Sequence, residues 1–167
     1  YSTLDVSPRS LEVSLKLSAL GQGIDRSLAL RGARTICAAA EAAGVWVTVD
    51  AEDHTTTDST LSIVRELRQD YPDLGTVLQA YLERTEDDCR ELSGPRSRIR
   101  LCKGAYNEPA SVAFQKPADV SASYLRCLRV LMNGDGYPMV ASHDPEIIDA
   151  ADRFARESSR GTESYEY

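Results

Sequence analysis

The sequence has little of what marks several common classes of protein. Among its 167 residues are one Trp, two Phe and two Met, and no apolar run approaches the roughly 18 residues of a membrane-spanning helix. Positively charged residues are also in deficit, because the chain has 19 Lys and Arg and 26 Asp and Glu. Proteins that bind nucleic acid by displacing counterions need a basic face. We therefore expect neither a transmembrane protein nor a nucleic-acid-binding protein.

Paired cysteines and an export signal are missing as well. The four cysteines form no CxxC pair, and they are Cys37, Cys89, Cys102 and Cys127. This spacing is typical of reduced thiols and favours neither a disulfide framework nor a zinc site. Residues 1–10 lack the charged and then apolar pattern of a secretory signal. We expect a cytoplasmic protein with an N-terminal extension, 1–10, followed by one domain, 11–167.

The apolar residues, 42% of the chain, alternate between two patterns. Short runs rich in β-forming residues predict strands at 11–17, 45–49, 76–80, 99–102 and 139–141. Helical spacing predicts helices at 31–43, 58–70, 119–132 and 145–157. This β-α alternation indicates an α/β protein with a parallel sheet. An open doubly wound sheet and part of a (β/α)8 barrel both remain possible. No GxGxxG follows the first strand, which disfavours the dinucleotide-binding open sheet.

Polar residues occur where the predicted strands end, and in parallel β-α folds those ends converge over one site. They include Lys16, Asp50, Gln79, Arg100, Lys103, Ser142 and His143. Each has an ordinary alternative: Lys16 could be an edge residue or half of a buried ion pair, and His143 could belong to a helix cap. A metal site between Asp50 and His54 is disfavoured, because neither HxH nor HExxH is present.

Five ordered segments resemble the motifs of the proline dehydrogenases, most closely the stand-alone bacterial enzymes. The resemblance extends from about Leu11 to Tyr167, and its most specific part is Lys-Gly-Ala-Tyr at 103–106. The segments are Ser-Leu-Lys-Leu-Ser-Ala at 14–19, Val-Asp-Ala-Glu at 49–52, Leu-Gln-Ala-Tyr at 78–81, Arg-Leu-Cys-Lys-Gly-Ala-Tyr at 100–106 and Ser-His-Asp at 142–144.

This resemblance implies a distorted (β/α)8 barrel that holds FAD, oxidises L-proline to Δ1-pyrroline-5-carboxylate and passes the electrons to a quinone. It implies that Lys16 meets the proline carboxylate, that Asp50 balances Lys16, and that Tyr106 walls the proline ring. The residues implied to bind the cofactor are Gln79, Arg100, Lys103, Gly104, Ala105, Ser142 and His143. A cation at Arg100 suits a flavin, which gains negative charge when it is reduced.

The sequence also departs from the family pattern. We find no counterpart of the family's first strand in residues 1–10, and no Tyr-x-x-Arg-Arg motif, whose arginines clamp the substrate carboxylate. We therefore expect about five or six of the eight barrel strands. Two alternatives remain: another (β/α)8 flavin or phosphate-ligand enzyme, and a non-catalytic truncated barrel used for binding or assembly. The family meets its quinone at the membrane, which implies peripheral contact with the inner face, although no basic amphipathic helix is evident.

Overall fold

The structure, a computed structural model, describes residues 11–167, in which strands and helices alternate regularly. The strands are β1 (Glu12–Leu15), β2 (Trp46–Val49), β3 (Gly75–Gln79), β4 (Arg98–Cys102) and β5 (Tyr137–Val140). The helices are α1 (Arg26–Ala43), α2 (Thr57–Leu67), α3 (Thr85–Leu92), α4 (Pro117–Asn133) and α5 (Pro145–Glu157). The predicted α/β class and all five predicted strands are confirmed.

The strands form one parallel sheet in sequential order, β1-β2-β3-β4-β5. A doubly wound sheet would reverse its strand order at a switch point, and no reversal occurs among these strands. The sheet therefore winds as a (β/α)8 barrel does. After α5 the chain returns to the sheet, where Glu166 makes a parallel bridge to Met139. This bridge agrees with the expectation of five or six barrel strands.

The two faces of the sheet differ in chemistry, and this difference positions the site. Strand residues such as Leu15, Val49, Leu78 and Leu101 are buried in two apolar clusters that also contain residues of the helices. Because side chains alternate along a strand, their neighbours in sequence lie on the opposite, concave face. That face carries Glu12, Ser14, Thr48, Asp50, Gln79, Arg98 and Arg100. The core therefore lies between the sheet and the helices, and the charged side chains of the strands lie on the concave face.

Helix boundaries follow local capping chemistry. The Asp25 carboxylate accepts a hydrogen bond from Ser27 N–H at the start of α1 (2.8 Å), and Gly44 ends that helix. At α5 the Asp144 carboxylate accepts from Glu146 N–H, with Pro145 at the first helical position, as the sequence predicts. Helix α1 begins at Arg26 and not at residue 31, because the Asp25 cap lies before the apolar stripe that marks it.

The sequence does not predict α3. Its eight residues bury only Thr85, Asp88, Cys89 and Leu92, so its apolar stripe is short. The signal that could have found it is the run of acidic residues in its first turn, 86–88, which suits the positive end of the helix dipole. The predicted extension, 1–10, lies outside the described residues. No helix within 11–167 combines the length and the apolar character that crossing a membrane requires.

Candidate active site

Arg100 is the centre of a charged group on the concave face of the sheet. Its guanidinium lies 3.3 Å from the Glu12 carboxylate and 3.6 Å from the Asp50 carboxylate. It also donates a hydrogen bond to the Ser14 hydroxyl at 3.2 Å. The contacts connect β4 with both β1 and β2, because the curved sheet brings strands that are not neighbours across from one another. The Arg100 guanidinium is therefore held by two carboxylates near the carboxyl end of its strand.

A second arginine lies one step deeper on the same face. Arg98 is buried between the rings of Trp46 and Tyr137, with its guanidinium carbon 4.6 and 4.7 Å from their centroids. Glu12 and Glu166 lie 3.7 and 4.0 Å from it. Stacking on two rings compensates part of the cost of burying a cation. This layer closes the concave face below Arg100, so the accessible polar groups face the carboxyl ends of the strands.

Lys103 follows β4 and pairs with Asp144 at the start of α5. The Lys103 ammonium lies 2.8 Å from the Asp144 carboxylate. This hydrogen bond, with the cap bond from Glu146 N–H, lowers the pKa of Asp144 from its ordinary value. The pair joins the loops that follow β4 and β5, which places the Lys103 charge at the mouth of the site.

Gly104 occupies a backbone conformation that favours glycine. Its φ is +115°, and a Cβ added there would lie 2.5 Å from the Cγ atom of Tyr81. The Tyr81 ring is itself buried, so it has little room to move aside. The backbone at Gly104 thus turns closely over Tyr81 immediately after Lys103. Because β4 ends at Cys102, Lys103 and Gly104 lie in the loop that follows the strand.

Gln79 ends β3 and carries an unusual polar atom. The residue is 5% exposed, and its side-chain Oε1 has no hydrogen-bond partner among the described residues. Leaving such an acceptor buried costs about 1–3 kcal/mol. In the register of β3 and β4, Gln79 pairs with Cys102. Val77, two residues earlier on the same face, pairs with Arg100. An acceptor left open beside this charged group suits a ligand that donates a hydrogen bond.

Lys16 and Asp50, which the family resemblance implies to be a pair, make no ion pair with each other in the structure. Lys16 is exposed and makes no ion pair with a described residue, whereas Asp50 faces Arg100. The two strands are in register here, since Leu15 pairs with Val49. The Arg100 guanidinium, however, spans the concave face and reaches the carboxylate. The ammonium of Lys16 therefore stays open at the mouth of the site.

The remaining predicted residues lie at the same end of the sheet but make fewer contacts. Ala105 and Tyr106 are exposed on the loop after β4, and Tyr106 is 42% exposed. The Ser142 hydroxyl accepts a hydrogen bond from Asp144 N–H at 3.2 Å. His143 is exposed beside it. The structure brings Arg100 and Asp50 into one charged group but leaves Tyr106 and His143 without a described side-chain partner.

Carboxylates that were not predicted as site residues connect the loops of this mouth. Glu52 accepts hydrogen bonds from the N–H and the hydroxyl of Ser18, at 3.1 and 2.6 Å, and so joins the loops after β1 and β2. Glu108 binds His54 and Tyr81 from the loop after β4. Glu12 could have been predicted from the sequence, because it alternates along the predicted first strand with Ser14 and Lys16 and so lies on the same face. Glu108 could not have been predicted in this way, because it lies in a loop without periodicity.

No group of three His, Cys, Asp or Glu side chains within residues 11–167 is arranged to hold a metal ion. The cysteines of this part of the chain are free thiols. Burial raises the pKa of Cys37 to about 11, so this thiol stays protonated at neutral pH.

The fold and the site define a class of protein: a parallel β-α sheet of barrel type with charged and hydrogen-bonding groups at the carboxyl ends of its strands. The family model described as proline dehydrogenase matches residues 3–167. Similar curated proteins include a proline dehydrogenase of Deinococcus radiodurans, 41% identical over 160 residues, and proline dehydrogenase 2 of Bacillus subtilis, 37% identical over 155 residues. Each alignment covers 93% of this chain, and 52% and 51% of the respective relative.

The chain belongs to the proline dehydrogenase family. It spans about half the length of the curated relatives it matches. Among solved structures it is similar to proline utilization A from Bdellovibrio bacteriovorus inactivated by N-propargylglycine, with a TM-score of 0.85 and 21% identity. That alignment covers 98% of this chain and 21% of the other. This likeness confirms the fold as an incomplete barrel of the expected type.

Proposed function

We propose that the protein is an FAD-dependent enzyme that oxidises L-proline to Δ1-pyrroline-5-carboxylate and passes the electrons to a quinone. The observation that carries this proposal is the meeting of Arg100, Gln79 and the Lys103–Gly104 turn at one mouth of a proline dehydrogenase fold. We place the enzyme in the cytoplasm, with peripheral contact at the inner face of the membrane, where a quinone is accessible.

The residues present fit a flavin. The isoalloxazine has donors and acceptors along one edge, and the unpartnered Gln79 Oε1 is free to accept from such a donor. The Arg100 guanidinium supplies the positive charge that favours a reduced, more negative flavin. Gly104 presents bare backbone, where a side chain would meet Tyr81. When bound, FAD supplies the acceptor for the two electrons that leave proline as its ring C–N bond becomes C=N.

We assign the groups of the mouth as follows. Gln79, Arg100, Lys103, Gly104 and Ala105 would hold the flavin, together with Ser142 and His143 at the neighbouring loop. Lys16 would bind the proline carboxylate, since its ammonium has no described ion-pair partner and stands open to an anion. Asp50 would hold Arg100 in place, and Tyr106 would cover the proline ring.

The test is to purify the intact protein and to follow its flavin. We expect FAD to copurify, its oxidised spectrum to bleach on addition of L-proline, and an artificial electron acceptor to restore it. Arg100→Ala should weaken FAD retention and lower its reduction potential, because the cation that favours the reduced form is removed. A protein that binds FAD but is not bleached by proline would favour a different flavin enzyme. A folded protein without FAD affinity would favour a binding or assembly role.

A further inference from the structure

Glu108 is a buried carboxylate in the loop between β4 and α4, and its side chain is 4% exposed. Its Oε1 accepts a hydrogen bond from the backbone N–H of His54 at 2.8 Å. The same oxygen accepts from the Tyr81 hydroxyl at 3.3 Å, and Oε2 pairs with the Nδ1 atom of His54. A carboxylate taken out of water in this way needs several donors to remain stable.

These bonds connect three separate loops of the mouth. His54 belongs to the loop after β2, Tyr81 to the loop after β3, and Glu108 to the loop after β4. Within its own loop the backbone carbonyl of Glu108 accepts from the Gln115 amide at 3.2 Å. No other described side chain of the mouth bonds to two further loops. Glu108 is therefore the point at which these loops are tied to one another.

Tyr81 carries this restraint to Gly104. Its ring lies directly against the Gly104 backbone, and its own N–H donates to the Lys103 carbonyl at 2.8 Å. Burial and the neighbouring Glu108 carboxylate raise the pKa of Tyr81, so its phenol remains a donor at neutral pH. The chain of contacts from Glu108 through Tyr81 thus reaches the turn that carries Lys103 and Gly104.

We infer that Glu108 is a positioning residue for cofactor binding: by clasping His54 and Tyr81 it fixes the turn at residues 103–106 against which FAD would lie. The inference rests on the proposed function for the identity of the ligand. The clasp itself rests only on the contacts of Glu108, and it restrains the turn whether or not a flavin is present.

The test compares four variants of the intact protein with wild type. Glu108→Ala removes every carboxylate contact, whereas Glu108→Gln keeps the size and an oxygen that can accept from His54 N–H. Tyr81→Phe deletes only the hydroxyl and leaves the ring beneath Gly104. Glu83→Ala is the matched control, because Glu83 is an exposed glutamate on the same loop as Tyr81. The bond from its backbone N–H to Val112 is retained.

Two measurements separate positioning from general stability. The first is amide hydrogen exchange at residues 103–106 in the FAD-free protein. The second is the FAD dissociation constant, measured well below the melting transition. We expect Glu108→Ala to accelerate exchange at the turn and to weaken FAD binding by about tenfold or more. Glu108→Gln and Tyr81→Phe should each weaken it by a few-fold, and Glu83→Ala should match wild type.

Opposite outcomes overturn the inference. If Glu108→Ala lowers only the melting temperature, and its exchange at the turn and its FAD affinity match those of Glu83→Ala, Glu108 has no positioning role. If Glu108→Ala does not fold, the other two variants decide. Wild-type exchange at the turn and wild-type FAD affinity in both Glu108→Gln and Tyr81→Phe would also overturn the inference. A wild-type protein that binds no FAD would refute the proposed function, while exchange at the turn would still decide whether the clasp exists.

Discussion

The conformation of Gly104 makes the substitution Gly104→Ala a sharp test of the site. Its φ of +115° is one that residues with a Cβ rarely adopt, and the new methyl would lie 2.5 Å from the Cγ atom of Tyr81. The ring cannot turn away freely, because Tyr81 is only 7% exposed and its hydroxyl is bonded to Glu108. The backbone of the turn must therefore shift.

The cost of this substitution has two parts. Holding alanine at a strained φ costs about 1–3 kcal/mol. Forcing an extra methyl into a packed site costs about another 1–3 kcal/mol. The free energy of unfolding should therefore fall by about 2–6 kcal/mol if the turn stays in place, a large share of the stability of an ordinary domain. If the turn moves to relieve the overlap, the loss appears instead as weakened FAD binding.

The assay measures both quantities, with Gly23→Ala as the matched control. Gly23 lies in the loop after β1, and a Cβ added there meets no atom within 4 Å. Chemical denaturation should show a clear loss in the free energy of unfolding for Gly104→Ala and a small change for Gly23→Ala. FAD titration should likewise show weaker binding for Gly104→Ala than for Gly23→Ala. Equal stability and equal FAD affinity in the two variants would show that the turn over Tyr81 is not as described.

Three further predictions concern single side chains of the mouth. Lys16→Met should raise the KM for proline by roughly tenfold, about 1.4 kcal/mol, with flavin content preserved; loss of flavin with a normal KM would assign Lys16 to the other ligand. Gln79→Leu should stabilise the FAD-free protein by about 1 kcal/mol in denaturant and weaken FAD binding, because it removes an unpartnered buried acceptor; unchanged FAD affinity would remove Gln79 from the site. Asp144→Asn should lower the melting temperature at neutral pH, because it removes the charge that faces Lys103. The pKa of Asp144 is lowered by folding, so this stabilisation is present above the ordinary value of 3.8 and is lost as pH falls below it; a difference between variant and wild type that persists in acid would contradict the pairing.

The strands and most helices were predictable because their signals are local. Strand β3, for example, is a short buried run, and α5 has both its Asp144 cap and its apolar stripe in the sequence. The choice between an open sheet and a barrel was not predictable from the residues alone, since it depends on the order in which strands pair. Helix α3 was missed for the opposite reason: it is local, but too short for periodicity to show.

The sequence predicted which residues belong to the candidate site better than it predicted the contacts that they make. Position at a strand end, together with the family motifs, pointed to Arg100 and Gln79, which the structure places on one face. In the structure Asp50 faces Arg100 and not Lys16. Adjacency in register favours Lys16 but does not tell how far an arginine reaches across a curved sheet. Glu108 could not be anticipated, since its partners His54 and Tyr81 are distant in sequence and meet only when three loops converge.

The two faces of the sheet divide stability from function. The outer face buries apolar side chains against the helices, which stabilises the fold by the hydrophobic effect. The concave face instead gathers Glu12, Asp50, Arg98 and Arg100, whose desolvation opposes folding even when the charges are paired. Apolar residues of similar size would commonly be as stable or more so in such positions. Fold stability therefore does not account for these charges, whereas the cofactor site proposed around Arg100 would.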